Sequence, residues 1–189
     1  MKRTENGNGT TDNTLQAIRF SRDTGLELLD QRLLPFTESW HTISNAQDAH
    51  DAIKSMLVRG APAIGVTAAL GIAVELISRL SVQVHDPYES PASVVRHVEE
   101  MRELLNVSRP TAVNLFDATD RLVHVAREHA ATHDDDKSND NNDTDISPAS
   151  RAIRVAQAVI DSAEQYMMED IKINKTIGNF GADVVFQWV

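Results

Sequence analysis

One run of small and apolar residues, Val58–Ile77, constrains the fold more than any other part of the sequence. Apart from Arg59 near its start, its only charged residue is Glu75. Pro62 suits the first turn of a helix, where a missing N–H forfeits no hydrogen bond. The sequence therefore predicts a helix that begins at Ala61 or Pro62. About 16 residues give a helix of roughly 24 Å, too short to cross a bilayer, so we expect a buried central helix.

Residues 15–45, which precede this helix, have the alternation and the turn residues of short strands. Three segments, AIRFSRD, GLELLDQRLLPF and ESWHTIS, with a turn at Thr24-Gly25, predict a small antiparallel β meander. From Asn45 onward the apolar spacing becomes that of helices.

Capping residues and apolar spacings of three and four predict four further helices. They start after Ser44 or Asn45, at Ser90-Pro91 (ending near Asn106), after SRPT, and at Ser147-Pro148. The apolar faces of these four helices are predicted to be Ala49, Ala52, Ile53 and Met56; Val94, Val98, Met101 and Leu105; Leu115, Ala118, Leu122, Val125 and His129; and Ile153, Ala156, Ile160, Ala163 and Met167. The apolar run that closes the chain would suit a short buried strand.

The fold class predicted from these elements is α+β, with a small β meander followed by a dominant helical bundle. The predicted organisation is a disordered tail (1–14), the β meander (15–45), the helical bundle (46–131), an acidic insert (132–147), a long helix that leads into a linker (148–183) and a divergent end (184–189). Six aspartates and one lysine lie between Asp134 and Asp145. We expect a disordered, solvated loop rather than a cation-binding loop there, because the glycine and terminal glutamate of an EF-hand are missing.

Composition excludes several classes of function. A net charge of −10 argues against nucleic acid as a partner, because phosphate backbones are bound by clustered Lys and Arg. The absence of cysteine excludes disulfides, thiolate metal sites and cysteine nucleophiles within this chain. The polar N-terminus has no apolar segment of a signal peptide. We expect a soluble, cytoplasmic protein that is not bound to a membrane.

Two arginines, Arg59 and Arg109, stand immediately before predicted helix starts. The free N–H groups and the dipole at a helix N-terminus favour an anion, and an arginine adds charge-assisted hydrogen bonds. If these two arginines lie close together in the folded chain, they form a phosphate pocket. The alternative for each is a surface residue or the partner of a carboxylate.

No metal centre or nucleophilic triad is predicted. His129 and His133 have the i, i+4 spacing of a zinc site but no third ligand nearby, so we interpret the pair as fortuitous. The sequence contains no Walker loop and no GxGxxG fingerprint. The residues alone predict a soluble domain with a phosphate pocket.

Two motifs, VRGAPAIGV and SRPTAVNL, together resemble those of methylthioribose-1-phosphate isomerase. LLDQRLLP at Leu28–Pro35 and the spaced residues ED, N, IG and GA within Glu169–Ala182 are similar to further blocks of that family. The resemblance implies an intramolecular oxidoreductase that interconverts an aldose phosphate and its ketose in methionine salvage, a step of methionine biosynthesis. It also implies a homodimer without a cofactor, in the cytoplasm and also the nucleus, whose strand-and-helix domain precedes a Rossmann-like domain.

The resemblance assigns substrate binding to Arg59, Gly60, Ala61 and Arg109, with Asn114 in support. It assigns no catalytic residue here, because the family's catalytic cysteine and aspartate lie in its Rossmann-like domain. We expect this chain to lack that domain, as a truncated product or after a shifted reading frame, and to be inactive alone. Asp117 replaces an aromatic residue that is frequent in the family.

Two other interpretations stay open. The same superfamily includes the alpha, beta and delta regulatory subunits of the translation-initiation exchange factor, which act by binding protein. The retained RGAPAIG and SRPTAVNL motifs favour the isomerase, since a scaffold has no need for paired phosphate-binding arginines. A non-functional fragment is the third interpretation, and its last long helix would leave apolar surface bare.

Overall fold

A three-stranded antiparallel sheet opens the fold and five helices follow it, in a computed structural model that describes residues 16–81, 87–132 and 147–186. The strands are β1 (Ile18–Ser21), β2 (Gly25–Leu29) and β3 (Trp40–Ile43). The helices are α1 (Ala46–Lys54), α2 (Ala61–Ser81), α3 (Pro91–Asn106), α4 (Val113–Thr132) and α5 (Pro148–Phe186). The predicted α+β fold, a β meander followed by a helical bundle, is confirmed.

The central strand β2 joins the sheet to the helical core. It pairs with β1 through Phe20 opposite Leu26 and with β3 through Leu26 opposite Ile43. Gly25 has a φ of 82°, a value that favours glycine, and the tight turn from β1 ends there. Leu26 and Leu28 are fully buried and place one face of the sheet in the core.

Helix α2 begins at Ala61, as predicted, but continues past Ile77 to Ser81. No glycine or proline lies between Ile77 and Ser81 to stop it. Its length and composition would allow it to cross a membrane, so the prediction that it is too short is wrong. Within the described chain, however, 67% of its most apolar window is buried. It packs against α1, α4 and α5, which confirms the predicted central core helix.

The single carboxylate of α2, Glu75, connects three helices. One of its oxygens accepts the backbone N–H of Ala46 at the start of α1, at 2.8 Å. The other lies 3.1 Å from Nε2 of His97 on α3. The neighbouring His97 ring, with help from the Ala46 amide, holds the pKa of Glu75 below its ordinary value. The negative charge of Glu75 is therefore tolerated in this apolar helix because the Ala46 N–H and the His97 ring lie next to the carboxylate.

The predicted helix starts are confirmed where a cap defines them. Asn45 caps α1 by accepting the backbone N–H of Asp48 at 2.8 Å. Ser90 and Ser93 form a reciprocal capping box at the start of α3, and Pro91 occupies the first turn. The predicted apolar face of α3 is buried throughout.

Five predicted core positions are exposed or only half-buried, and one of them is the half-buried Met167 of α5. Met56 lies beyond the end of α1 with a φ of 60° and is 44% exposed. On α4, Val125 is half-buried and His129 exposed, whereas Thr119, Val123 and Ala126 are buried. Helix α4 contacts α2, α3 and α5, so its buried stripe is broader than one heptad face. Ile153 of α5 is 39% exposed.

The predicted terminal strand is also wrong, because α5 is one helix through Phe186. No proline follows Pro148, so nothing sterically ends the helix, and Gly178 and Gly181 only lower its helix propensity. Its last part projects from the core with Ile177 and Phe180 exposed. The predicted disordered tail and acidic insert lie almost entirely outside the described residues, and the predicted domain boundaries remain predictions.

Helix α2 approaches α4 and α5 closely at Gly65. A Cβ at this position would lie 2.7 Å from the carbonyl oxygen of Asn114 on α4 and 3.0 Å from the hydroxyl oxygen of Tyr166 on α5. Real Cβ atoms essentially never come within 3.0 Å of another heavy atom. The nearer neighbour is a backbone atom, which has no flexible side chain that could move away. Only glycine lets the three helices meet at this spacing.

The variant Gly65→Ala should therefore lower the free energy of unfolding by about 1–3 kcal/mol, because the backbone of α4 must move away. Urea unfolding followed by circular dichroism measures this. The matched control is Gly178→Ala, whose added Cβ meets nothing within 4 Å. It should raise stability by about 0.5–1 kcal/mol through helix propensity. Equal stabilities of the two variants would contradict the close contact.

Candidate functional site

The loop that bears Arg59 is anchored on both sides of the arginine. Leu57 and Val58 are buried, and the carbonyl of Leu57 accepts the backbone N–H of Gln31 at 3.0 Å. Gly60 follows with a φ of 93°, a backbone conformation that favours glycine. Arg59 itself is exposed, and its Nε donates to the carbonyl of Met56 at 3.3 Å. The loop is fixed while the guanidinium faces solvent.

The first turn of α2 begins directly after this loop. The N–H of Ile64 donates to the carbonyl of Gly60 at 3.0 Å, which starts the helical hydrogen bonds. Ala61 and Pro62 are exposed. The first N–H groups of a helix have no partner within the helix, so this exposed end is able to receive an anion.

The SRPT segment forms the turn between α3 and α4. The buried Ser108 donates through its hydroxyl and its N–H to the carbonyl of Leu105, at 2.6 and 2.9 Å. The N–H of Ala112 donates to the carbonyl of Arg109 at 3.0 Å and closes the turn. Arg109 is half-buried, and its side chain has no hydrogen bond or ion pair with any other described residue.

The contact at Gly65 brings the two arginine loops to the same end of the bundle. Gly65 lies about one turn into α2 and meets Asn114, the second residue of α4. The first turns of α2 and α4 therefore lie side by side. Arg59, Gly60 and Ala61 precede or open one of them, and Arg109 precedes the other. Asn114 takes part through its backbone oxygen.

Tyr166 of α5 also reaches this junction, and the sequence analysis did not identify it. Burial, and then the negative charge of Asp117, raises the pKa of its phenol above its ordinary value. The guanidinium of Arg121 lies 5.7 Å from the centre of its ring and pairs with Glu169 at 2.7 and 3.2 Å. Only a contact between α5 and distant residues places Tyr166 here, and no local pattern in the sequence indicates such a contact.

The chemistry available at this end of the bundle is anion binding. It offers two guanidinium groups and the N–H groups of helix starts, which suit a phosphate dianion. Within residues 16–81, 87–132 and 147–186, no cluster of histidine and carboxylate side chains could hold a metal ion. His133, half of the histidine pair discussed above, lies outside the described residues.

An ion pair between the buried Asp30 and the exposed Arg32 supports the Arg59 loop. Asp30 is 2% exposed, and its carboxylate accepts Nε and Nη2 of Arg32 at 2.8 and 2.6 Å. This pairing lowers the pKa of Asp30 to about 2. Asp30 is followed by Gln31, whose N–H holds the carbonyl of Leu57. The pair therefore fixes the turn on which the arginine loop rests.

Removing the charge by Asp30→Asn should lower the free energy of unfolding at pH 7 by on the order of 1–2 kcal/mol, because a charged hydrogen-bond acceptor is lost. The folded pKa of Asp30 is below the unfolded value of about 3.9, so its stabilisation is present above pH 4 and disappears as the pH falls towards 2. Urea unfolding of both proteins between pH 7 and pH 2 measures the difference. Asp23→Asn, at an exposed position, is the control. A pH-independent difference would contradict the ion pair.

Comparison with known proteins decides the family. The model of the Initiation factor 2 subunit family matches residues 57–187, which is more than half of the chain. The chain belongs to the Initiation factor 2 subunit family. The match begins at Leu57, in the loop described above, and includes all of α2 to α5.

The chain is similar in sequence to methylthioribose-1-phosphate isomerases of fungi and plants. The chain is 40% identical over 174 residues to methylthioribose-1-phosphate isomerase of Neosartorya fischeri, which covers 92% of this chain and 40% of that protein. It is 38% identical over 175 residues to the isomerase of Ricinus communis, with the same coverage. The resemblance predicted from the two motifs is confirmed. The chain spans about 40% of the length of these relatives.

Two solved structures share the fold. The 5-methylthioribose 1-phosphate isomerase of Pyrococcus horikoshii is 27% identical with a TM-score of 0.67, over 89% of this chain and 40% of that chain. The delta subunit of translation initiation factor eIF-2B from A. fulgidus is 26% identical with a TM-score of 0.64, over 90% and 42%. The same strand-and-helix unit therefore occurs in an isomerase and in a translation factor subunit.

Proposed function

We propose that this chain is the N-terminal part of a methylthioribose-1-phosphate isomerase, the enzyme that makes methylthioribulose 1-phosphate in methionine salvage. The observation that supports it most is the 40% identity to such an isomerase over 92% of the chain. The role of this part is to bind the phosphate of the substrate. Arg59 and Arg109 provide the charge, and the backbone at Gly60 and Ala61 provides N–H donors.

Turnover requires groups that open the sugar ring and move a proton between neighbouring carbons. The residues that the resemblance assigns to this part, Arg59, Gly60, Ala61 and Arg109, supply cations and backbone amides, which bind charge but do not perform these proton transfers. The chain by itself is therefore inactive, and a coupled assay that detects turnover above buffer would refute this. The complete enzyme is proposed to act as a homodimer without a cofactor, in the cytoplasm and the nucleus.

A protein-binding module like that of a translation factor subunit is the second candidate. It is favoured by the structural similarity to the eIF-2B delta subunit, at a TM-score of 0.64. Its sequence identity of 26% is similar to that of the isomerase structure, so the fold does not separate the two functions. The arginine loops support the isomerase, because a scaffold has no need for a phosphate site.

Binding of ribose 1-phosphate to the purified chain tests the proposal by isothermal titration calorimetry. We expect Arg59→Ala to weaken binding about 10-fold or more, because a charge-assisted hydrogen bond to phosphate is lost. Arg154→Ala, an exposed arginine of α5, is the matched control and should leave affinity unchanged. Equal affinity of wild type and Arg59→Ala, together with binding of a translation factor, would favour the protein-binding module.

A further inference from the structure

The hydroxyl of Tyr166 on α5 makes no hydrogen bond with any other described residue. Its oxygen lies 3.0 Å from the point that a Cβ at Gly65 would occupy, near the start of α2. The carbonyl oxygen of Asn114, at the start of α4, lies 2.7 Å from the same point. The hydroxyl is therefore placed between the first turns of the two helices that follow the arginine loops.

This hydroxyl is open to solvent, unlike that of Tyr88. Tyr166 is half-buried, and its oxygen remains accessible, whereas the hydroxyl oxygen of Tyr88 is shut off from solvent without a partner. Tyr88 lies beside Arg79, which follows Gly65 by 14 residues, so the two phenols are at opposite ends of α2. An accessible phenol without a partner is free to donate to a bound molecule.

The ring that carries this hydroxyl is supported by an ion pair. The guanidinium of Arg121 on α4 lies 5.7 Å from the centre of the Tyr166 ring. Glu169 accepts two hydrogen bonds from that guanidinium, at 2.7 and 3.2 Å, and so fixes it. A tyrosine side chain also has only two side-chain torsions to restrict. The hydroxyl is therefore positioned before a ligand arrives, which lowers the entropy cost of binding.

The charges around the phenol favour a neutral group of a ligand over a phosphate. Burial, and then the negative charges of Asp117 and Asp170, raise the pKa of Tyr166, so both carboxylates lie close to it. With Glu169 and Arg121 the formal charges are −3 and +1, a net of −2. A dianion is repelled here, but a sugar hydroxyl is not. The raised pKa keeps the phenol protonated, as a donor, at neutral pH.

We propose that the Tyr166 hydroxyl donates a hydrogen bond to a sugar hydroxyl of the sugar phosphate held by Arg59 and Arg109. This role rests on the function proposed above. Gly65 follows Ala61 by four residues, so Tyr166 lies about 6 Å further along α2 than the helix start that receives the phosphate. The sugar attached to that phosphate spans this distance. Tyr166 thus distinguishes a sugar phosphate from free phosphate, which two arginines alone do not.

Calorimetric titration of the full chain with ribose 1-phosphate and, separately, with inorganic phosphate tests this role. Tyr166→Phe keeps the ring and removes a hydroxyl that has no described partner, so the fold should be retained, which circular dichroism checks. We expect the variant to bind ribose 1-phosphate about 5-fold more weakly, because one hydrogen bond is lost, and to bind inorganic phosphate unchanged. Tyr88→Phe is the matched control and should bind both ligands as the wild type does.

Arg59→Ala separates this role from the proposed function, because it should weaken the binding of both ligands. If Arg59→Ala weakens the binding of ribose 1-phosphate and Tyr166→Phe does not, the role of Tyr166 is refuted and the phosphate site stands. An equal loss of both ligands in Tyr166→Phe would also refute it, since the hydroxyl would then act on the phosphate or on the fold. A wild-type chain that binds neither ligand would refute the phosphate site and the role of Tyr166 together.

Discussion

The close contact of α2 with α4 and α5 at Gly65 is the constraint on which the rest of the structure depends. Because position 65 has no side chain, the carbonyl of Asn114 and the hydroxyl of Tyr166 reach the backbone of α2. This contact sets the spacing of the three longest helices. It also aligns the starts of α2 and α4, so that the loops before them share one end of the bundle. The contact at Gly65 therefore determines both the packing of the core and the position of the candidate site.

The core depends on this packing far more than on surface charge. Helix α2 buries a nearly continuous set of residues, and each Val, Leu or Ile among them contributes roughly 1.5–3 kcal/mol when fully buried. The exposed pairs of Arg22 with Asp161 and Glu164 join the sheet to α5, but pairs of this kind contribute about 0–1 kcal/mol. The charged side chains that contribute more to stability are those shielded from solvent. They are Asp30, next to the Arg59 loop, and Glu75, between α1 and α3.

The sequence predicted the features that local chemistry decides. The caps at Asn45 and Ser90, the start of α2 at Ala61 and the three short strands are set by neighbouring residues. The motifs before two helix starts also located both arginine loops. Errors arose where distant contacts decide: His129 is exposed and Thr119 buried because α4 packs on three helices. The C-terminal part of α5 is helical because nothing stops it, although its composition suggested a strand.

The candidate site shows the same division. Spacing along the chain identified Arg59 and Arg109, but only the contact at Gly65 shows that their loops lie together. Tyr166 comes from α5, more than fifty residues after Arg109, and no short-range pattern could place it at this junction. The ion pair of Asp30 and Arg32 is local, yet its role in supporting the Arg59 loop depends on the bond from Gln31 to Leu57.

The central claim is that Arg59 and Arg109 bind one phosphate. Titration of ribose 1-phosphate followed on the Nε–H resonances of the arginine side chains in ¹H–¹⁵N spectra tests it most directly, with assignments from Arg59→Ala and Arg109→Ala. The account predicts that both resonances shift along one binding curve with a single dissociation constant, while that of Arg154 does not move. A shift of only one of the two, or different constants for each, would contradict a shared phosphate.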